Sequence, residues 1–322
     1  MNRIASLSLD LDNKWSYMKT HGDAGWEDYP SYIDVFVPRV LEFLEKRDLK
    51  ITFFIVGKDA SLEKNRESLA LISKAGHEIG NHSFKHEPWL HLYSREELSD
   101  EMKRTEEAIE STFGTRPTGF RGPGYSLSST VLEVLAERGY EYDCSTLPTF
   151  IAPVARAYYF FRSPEMSDEE KEKRKNLFGK FSDGFQTLKP YKWQVGEKQL
   201  VEIPVTTLPF FKTPIHASYV IYLAKFSKLA SSIYWRTAIR LCRMSGVQPS
   251  LLLHPLDFLS KDDAPELGFF PAMELSVKEK LSLTGGIVDR FRSEFEVVNM
   301  AEHARRVSDS DGMKIRDVGD LS

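Results

Sequence analysis

Cysteine is nearly absent from this 322-residue sequence: Cys144 and Cys242 stand alone and far apart. They have neither CxxC spacing nor the density of a disulfide-stapled secreted fold, so a reducing compartment is expected. Positive charge is not in excess either, with 43 Lys and Arg against 47 Asp and Glu and a net charge of −4. That balance excludes the basic footprint of a nucleic-acid binder. Long apolar runs are missing. The opening MNRIASLSLDLDNKW reaches two aspartates by position 12, leaving no apolar core for a signal peptide. The expected location is the cytoplasm, up to the inner face of its membrane. The most apolar late stretch, Ala217 to Trp235, is interrupted by Lys225 and Lys228 and falls short of the ~20 apolar residues of a membrane span. It reads as an amphipathic helix that either packs in the core or touches a membrane or partner surface. Internal repeats and low-complexity tracts are also absent.

What is present is alternation. Ala5, Leu7, Leu9 and Leu11 alternate with Ser6, Ser8, Asp10 and Asp12, the period-two pattern of a strand with one apolar and one polar face. Both aspartates therefore point the same way. A helix is expected from Pro38, a good first-turn residue, to Arg47, followed by the strand ITFFIV ending at Gly57. Helical pattern returns from about Leu62 to Gly76, HEIGNH reads as a short strand, and Ser94 with Glu97 makes a capping box for a helix reaching Phe113. Strand candidates then recur at TGFR, EYDC, VEIPV, SLLLH and FEVVN, with a helix from Leu127 to Arg138. Strands alternating with helices predict an α/β fold, a deformed (β/α) barrel of about seven parallel strands. The expected organisation is a single domain over 1–306, interrupted by an insertion at about 149–195 near the barrel mouth. That insertion holds the aromatic run Tyr158 to Phe161 and the charged SDEEKEKRK. Residues 307–322 are expected to be a disordered tail.

NHSFKH carries the strongest chemical signal. His82 and His86 are four apart, and on a helical turn would project from one face. Two imidazoles make half a metal site, and the pair alone occurs by chance as often as not. In a parallel barrel, functional groups gather at the C-terminal ends of strands, where Asp10 and Asp12 can join the histidines. Two histidines and a carboxylate form a known catalytic zinc arrangement, and the same set suits Co, Ni, Fe or Mn.

LDLD, ITFFIVG, NHSFKH, FRGPGYS and LLLHP, in that order, resemble the polysaccharide deacetylase (NodB-like) family, carbohydrate esterase family four, over Ile4 to Leu256. Aspartates separated by Leu11 are similar to its DxD-type variant subgroup rather than to the adjacent pair of most members. The resemblance implies a NodB-like deformed barrel that removes acetyl groups from N-acetylated sugars. It implies Asp10 as general base and Asp12, His82 and His86 as ligands of a divalent metal, most simply zinc. Arg121 would hold the base charged and in place, Gly124 N–H would stabilise the oxyanion, and His254 would protonate the departing amine. The family's aspartate partner of that histidine is matched to Asp143. Tyr125 stands one position later than in the usual RxPYG form.

Other residues carry two readings each. Asn13, Trp15 and Tyr125 are candidate substrate contacts, with chain turning and loop packing as the plain alternatives for the first two. Tyr17 and Trp26 offer faces for sugar stacking or for packing. His77 is expected behind the site, His216 at the surface, and His21 and His303 in solvent. The leading function is N-deacetylation of an amino sugar in a glycan or in a lipid- or nucleotide-linked precursor. The second is hydrolysis of a small amide or cyclic imide, allantoin-like or formamide, and the third a catalytically silent glycan binder. Oligomeric state is left open.

Overall fold

Strand β1 (Ile4–Leu11) is buried along its whole length, so its polar face does not meet solvent. Its apolar face, Ala5, Leu7, Leu9 and Leu11, belongs to the main hydrophobic core beneath the surrounding helices. Its polar face turns inward, where Ser8 and Asp10 accept hydrogen bonds from Arg121 and Ser6 meets His303. The alternation is therefore that of a barrel strand, apolar toward the helices and polar toward the interior.

The computed structural model describes residues 3–154, 156–157, 168–173, 179–310 and 312–321. After β1 come α1 (Lys14–His21), α2 (Ile33–Glu45), β2 (Thr52–Ile55), α3 (Gly57–Ser61), α4 (Glu63–Lys74) and β3 (Glu78–Asn81). Then follow α5 (Arg95–Phe113), β4 (Gly119–Phe120), α6 (Ser129–Glu137), β5 (Tyr142–Asp143) and α7 (Asp168–Lys173). The hairpin β6 (Tyr191–Val195) and β7 (Lys198–Glu202) precedes α8 (Ala217–Phe226) and α9 (Lys228–Ser245). The chain ends with β8 (Ser250–Leu253), α10 (Val277–Glu294), β9 (Glu296–Val298), α11 (Met300–Ser308) and β10 (Ile315–Asp317).

Seven strands, in the order β8-β1-β2-β3-β4-β5-β7, are parallel to their neighbours, the number and direction expected. Among the described residues no ladder joins the two ends of this run. Instead the chain leaving β7 reaches β8 through Thr206, whose N–H donates to the Ser250 carbonyl at 3.2 Å while Ser250 N–H donates to Thr206 Oγ1 at 2.8 Å.

Several expectations are corrected. Helix α2 starts at Ile33, and Pro38 lies inside it. The stripe Ile33, Phe36, Val37, Val40, Phe43 and Leu44 is buried, and burying its first turn outweighs the one hydrogen bond proline removes. The predicted insertion is partly sheet: Tyr191–Val195 is an antiparallel partner of β7, turned by Gly196 at φ 57°. The run Tyr158 to Phe161 lies outside the described residues. The tail is ordered where it is described, α11 continuing to Ser308 and β10 pairing parallel with β6. Three residues with no apolar alternation gave no signal of that strand. His303 is wholly buried against Ser6, and burial pushes its imidazole down to about 3.

Candidate active site

Parallel pairing puts Leu11, Ile55, Asn81, Phe120 and Asp143 on one register row, and Asp12, His82 and Arg121 are each the next residue beyond it. Strand ends alone thus bring three of the predicted residues to one rim. His86 arrives differently. Residues 82–86 form a loop rather than a helical turn, with Ser83 at φ 60° and His86 at φ 54°. The buried Glu101 carboxylate shapes it, accepting from Phe84 N–H at 2.8 Å and Lys85 N–H at 3.0 Å. Asn81 Oδ1 accepts from Ser83 N–H at 2.7 Å. The two histidines converge through this folded loop, so the four-residue spacing was informative although the helical geometry was not.

Asp12 Oδ1 lies 2.9 Å from His86 Nε2 and 3.3 Å from His82 Nε2, and one ligand atom from each of the three residues falls within 4.8 Å of the others. His82 Nδ1 is 2.6 Å from the Arg121 carbonyl, which can only accept, so Nδ1 carries the proton. In the neutral ring Nε2 then turns a lone pair toward the Asp12 oxygen, and two such atoms repel unless a cation or proton lies between them. Asp12 Oδ1 and His86 Nδ1 are buried with no hydrogen-bond partner among the described residues. Burial opposes ionisation of Asp12, but the adjacent His86 and His82 prevail and hold its carboxyl well below the usual range. A carboxylate and two imidazoles in this arrangement fit a divalent cation.

Asp10 sits beside this cluster, its Oδ2 4.0 Å from His82 Nε2 and its Oδ1 accepting from Arg121 Nη1 at 2.7 Å. Arg121 is fully buried. Its Nη1 also donates to Ser8, its Nε to the Cys144 carbonyl, and its guanidinium rests 4.4 Å over the Phe54 ring. Space for that ring exists because residue 80 is glycine; a Cβ there would lie 2.5 Å from it.

The chain beyond Arg121 turns sharply, Gly124 at φ 58° and Tyr125 at φ 62°. A Cβ on Gly124 would lie 2.8 Å from Pro88. Gly122 N–H donates to Ser145 Oγ, which itself donates to Asp143. Tyr125 faces the site: burial, and then the nearby charge of Asp10, push its hydroxyl above the ordinary phenol range.

Asp143 is not the partner of His254. Its carboxylate is engaged by Ser145, and it is paired with the buried Glu202 on the neighbouring strand. The residue at His254 is Asp257, missed in the sequence although it follows three positions later in LLLHPLD. Asp257 Oδ2 accepts from His254 N–H at 2.8 Å, and Oδ1 from Ser218 Oγ at 2.6 Å, while Ser218 Oγ lies 3.4 Å from His254 Nδ1. His216 is buried rather than at the surface. Its ring centroid is 5.9 Å from that of His254, and burial with that neighbour pushes it down to about 3.

Two of the proposed substrate contacts are structural. Asn13 caps α1 with Oδ1 and donates through Nδ2 to Ser31 and Asp59. Trp15 has no exposed surface, and its Nε1 donates to Asp59 at 2.9 Å. Trp15→Ala should therefore cost about 3 to 5 kcal/mol of stability, measured by urea unfolding. A glycan titration that weakens while stability is unchanged would return Trp15 to the binding surface. Tyr17 lies in α1 with its hydroxyl facing Asp12, and burial and that charge raise it well above the usual phenol range. His77 packs edge-on to Phe53 and accepts from Ile51 N–H, and burial pushes it down to about 4. His21 is half-buried, stacked on Phe269 and paired with Asp23.

Residues 23–142 match the family model described as polysaccharide deacetylase, a span that holds His82, His86, Arg121 and Gly124. Among curated relatives, a peptidoglycan deacetylase of Helicobacter pylori is 32% identical over 157 residues, 47% of this chain and 52% of the relative. A peptidoglycan-N-acetylglucosamine deacetylase of Bacillus cereus is 30% identical over 105 residues, 33% of this chain and 37% of the relative. The chain thus spans about half or less of the length of these relatives. A structure from Mycobacterium smegmatis assigned to the polysaccharide deacetylases superposes with a TM-score of 0.62 at 20% identity, covering 95% of this chain and 91% of that one. An allantoinase structure gives 0.55 at 16%, covering 96% and 92%. At such identities the two structures establish a shared fold.

Proposed function

We propose, from the premise that the chain carries a polysaccharide deacetylase domain, that it hydrolyses the N-acetyl group of an amino sugar within a glycan or a glycan precursor. The observation that supports this most is the convergence of Asp12, His82 and His86 beside the Arg121-bound carboxylate of Asp10. Asp12, His82 and His86 would hold a divalent cation, with zinc the simplest choice for one carboxylate and two imidazoles. When bound, such a cation lowers the pKa of water and polarises a carbonyl oxygen.

The chain's own groups account for the proton movements. Asp10, aimed by its hydrogen bond from Arg121, takes the proton from the attacking water as the new C–O bond forms. Gly124 N–H is assigned to the developing oxyanion. His254, oriented by the Ser218–Asp257 pair, delivers a proton to the sugar nitrogen as the C–N bond breaks and acetate leaves.

Incubation of purified protein and added Zn with N-acetylated glucosamine oligosaccharides or peptidoglycan fragments should release acetate and expose amines. Turnover of allantoin or formamide without acetate release from any glycan would assign the site to small amides. Glycan binding without turnover of either would make the protein a binder. Asp257→Asn and Ser218→Ala should each lower turnover about 10- to 100-fold, part of the 10²–10⁴ a general acid supplies, with bound metal unchanged. Full activity in both would detach Asp257 from His254.

A further inference from the structure

Between Glu202 and Asp257 the chain contains no acidic residue, whereas Lys212, Lys225, Lys228, Arg236, Arg240 and Arg243 all fall within that interval. The protein as a whole carries more acidic than basic residues, so this is a strong local asymmetry. Its centre is the corner where α8 meets α9 at Ser227. Val220, Ile221 and Ala224 of α8, and Trp235, Ala238, Ile239 and Cys242 of α9, pack inward. The outer side carries apolar residues instead of the usual polar ones. Tyr222 and Phe226 lie one turn apart on α8, and Leu229 and Ile233 one turn apart on α9. Phe226 is 67% and Leu229 71% exposed.

Arg236 and Arg240 continue the Ile233 face of α9, three and seven residues on, and are exposed. Lys225 is neutralised by Glu274 and Arg243 by Glu294, and Lys228 feels Glu279. Lys228, Arg236 and Arg240 have no ion pair with any described residue. The loop after β7 adds Phe210, 74% exposed, and Phe211. It is fastened to α9 next to Ile233, since Tyr234 Oη donates to the Pro214 carbonyl at 2.8 Å. At its other end α8 begins at the site, where Ser218 reaches Asp257 and His254.

We propose that this corner docks on an anionic lipid bilayer. Tyr222, Phe226, Leu229 and Ile233 enter the headgroup boundary, and Lys228, Arg236 and Arg240 meet acidic headgroups. Aromatic and aliphatic side chains at a helix corner, bordered by unpaired cations and free of acidic neighbours in sequence, match the chemistry of an interfacial anchor. No helix among the described residues is long and apolar enough to cross a membrane, so the proposal concerns a surface contact made by this corner. The proposal rests on this surface and not on the reaction assigned to the site.

The full chain should co-sediment with vesicles of phosphatidylcholine mixed with phosphatidylglycerol, bind far less to phosphatidylcholine alone, and lose binding as salt rises. The double substitutions Phe226→Asp/Ile233→Asp and Arg236→Glu/Arg240→Glu, all at exposed positions, should each weaken partitioning about tenfold or more with unchanged melting temperature. Absence of binding to the mixed vesicles at low salt, or wild-type binding by both variants, would overturn the proposal. A concentration-dependent dimer in light scattering that Phe226→Asp/Ile233→Asp abolishes would assign the corner to a second copy of the chain. Acetate release from soluble oligosaccharides needs no membrane, so failure of docking and failure of the proposed reaction are separately visible.

Discussion

Asp12→Ala is expected to bind no divalent metal after dialysis and to release no measurable acetate, whereas the wild-type protein retains about one cation per chain. The carboxylate oxygen is common to both short contacts of the cluster, 2.9 Å to His86 and 3.3 Å to His82, so its loss leaves two imidazoles with nothing to bridge them. Affinity should fall well beyond the roughly 10- to 100-fold that loss of a supporting group costs. A readout apart from turnover follows from linkage. Zinc at about 100 times its dissociation constant should stabilise the wild-type fold by about 2.7 kcal/mol, and Asp12→Ala by nothing. Equal zinc stabilisation of the two proteins would show that the cation binds elsewhere.

The positions of Asp12, His82 and Arg121 were legible because strand alternation and strand ends are local signals, and parallel pairing carries them to one rim without further information. The Ser94 and Glu97 capping box was legible for the same reason, since both halves of its hydrogen bonding lie within four residues. What could not be read depends on neighbours distant in sequence. His216 and His303 looked like solvent residues because nothing near them in the chain shows that His254 and Ser6 cover them. Trp15 looked available to a sugar because its partner, Asp59, is 44 residues away. Helix α2 began early because its first turn is fixed by burial under the barrel, which overrides the preference of Pro38 for a helix start.

The partner of His254 shows the same limit from the opposite side. The resemblance matches Asp143 to the aspartate partner of His254, whereas Asp257 sits in the same turn as that histidine. The structure engages Asp143 with Ser145 and pairs it with Glu202, an acid on the next strand. Burial and that neighbour push Glu202 well above the usual carboxylate range, so Asp143 is engaged with a second buried acid and with Ser145 rather than with His254. Asp257 also lies in a buried setting that raises its carboxyl, but the adjacent His254 and the Ser218 hydroxyl oppose that rise.

Asp10→Asn separates holding the cation from using it. The amide keeps the shape of the side chain and leaves the Asp12, His82 and His86 atoms in place, so bound metal should remain within about tenfold of wild type. Turnover should fall about 10²- to 10⁴-fold, the usual contribution of a positioned base. The same change strands the Arg121 guanidinium, which is fully buried and has Asp10 as its only carboxylate partner among the described residues. Breaking one side of a buried ion pair costs about 3 to 5 kcal/mol, so the variant should unfold at markedly lower urea. Adding Arg121→Met removes the uncompensated charge and should return much of that stability while restoring no activity. If the double variant regains turnover with stability, Asp10 serves only to balance Arg121 and the proton must leave by another group. If stability returns and turnover does not, the carboxylate itself takes the proton, and the buried arginine is what holds it ready to do so.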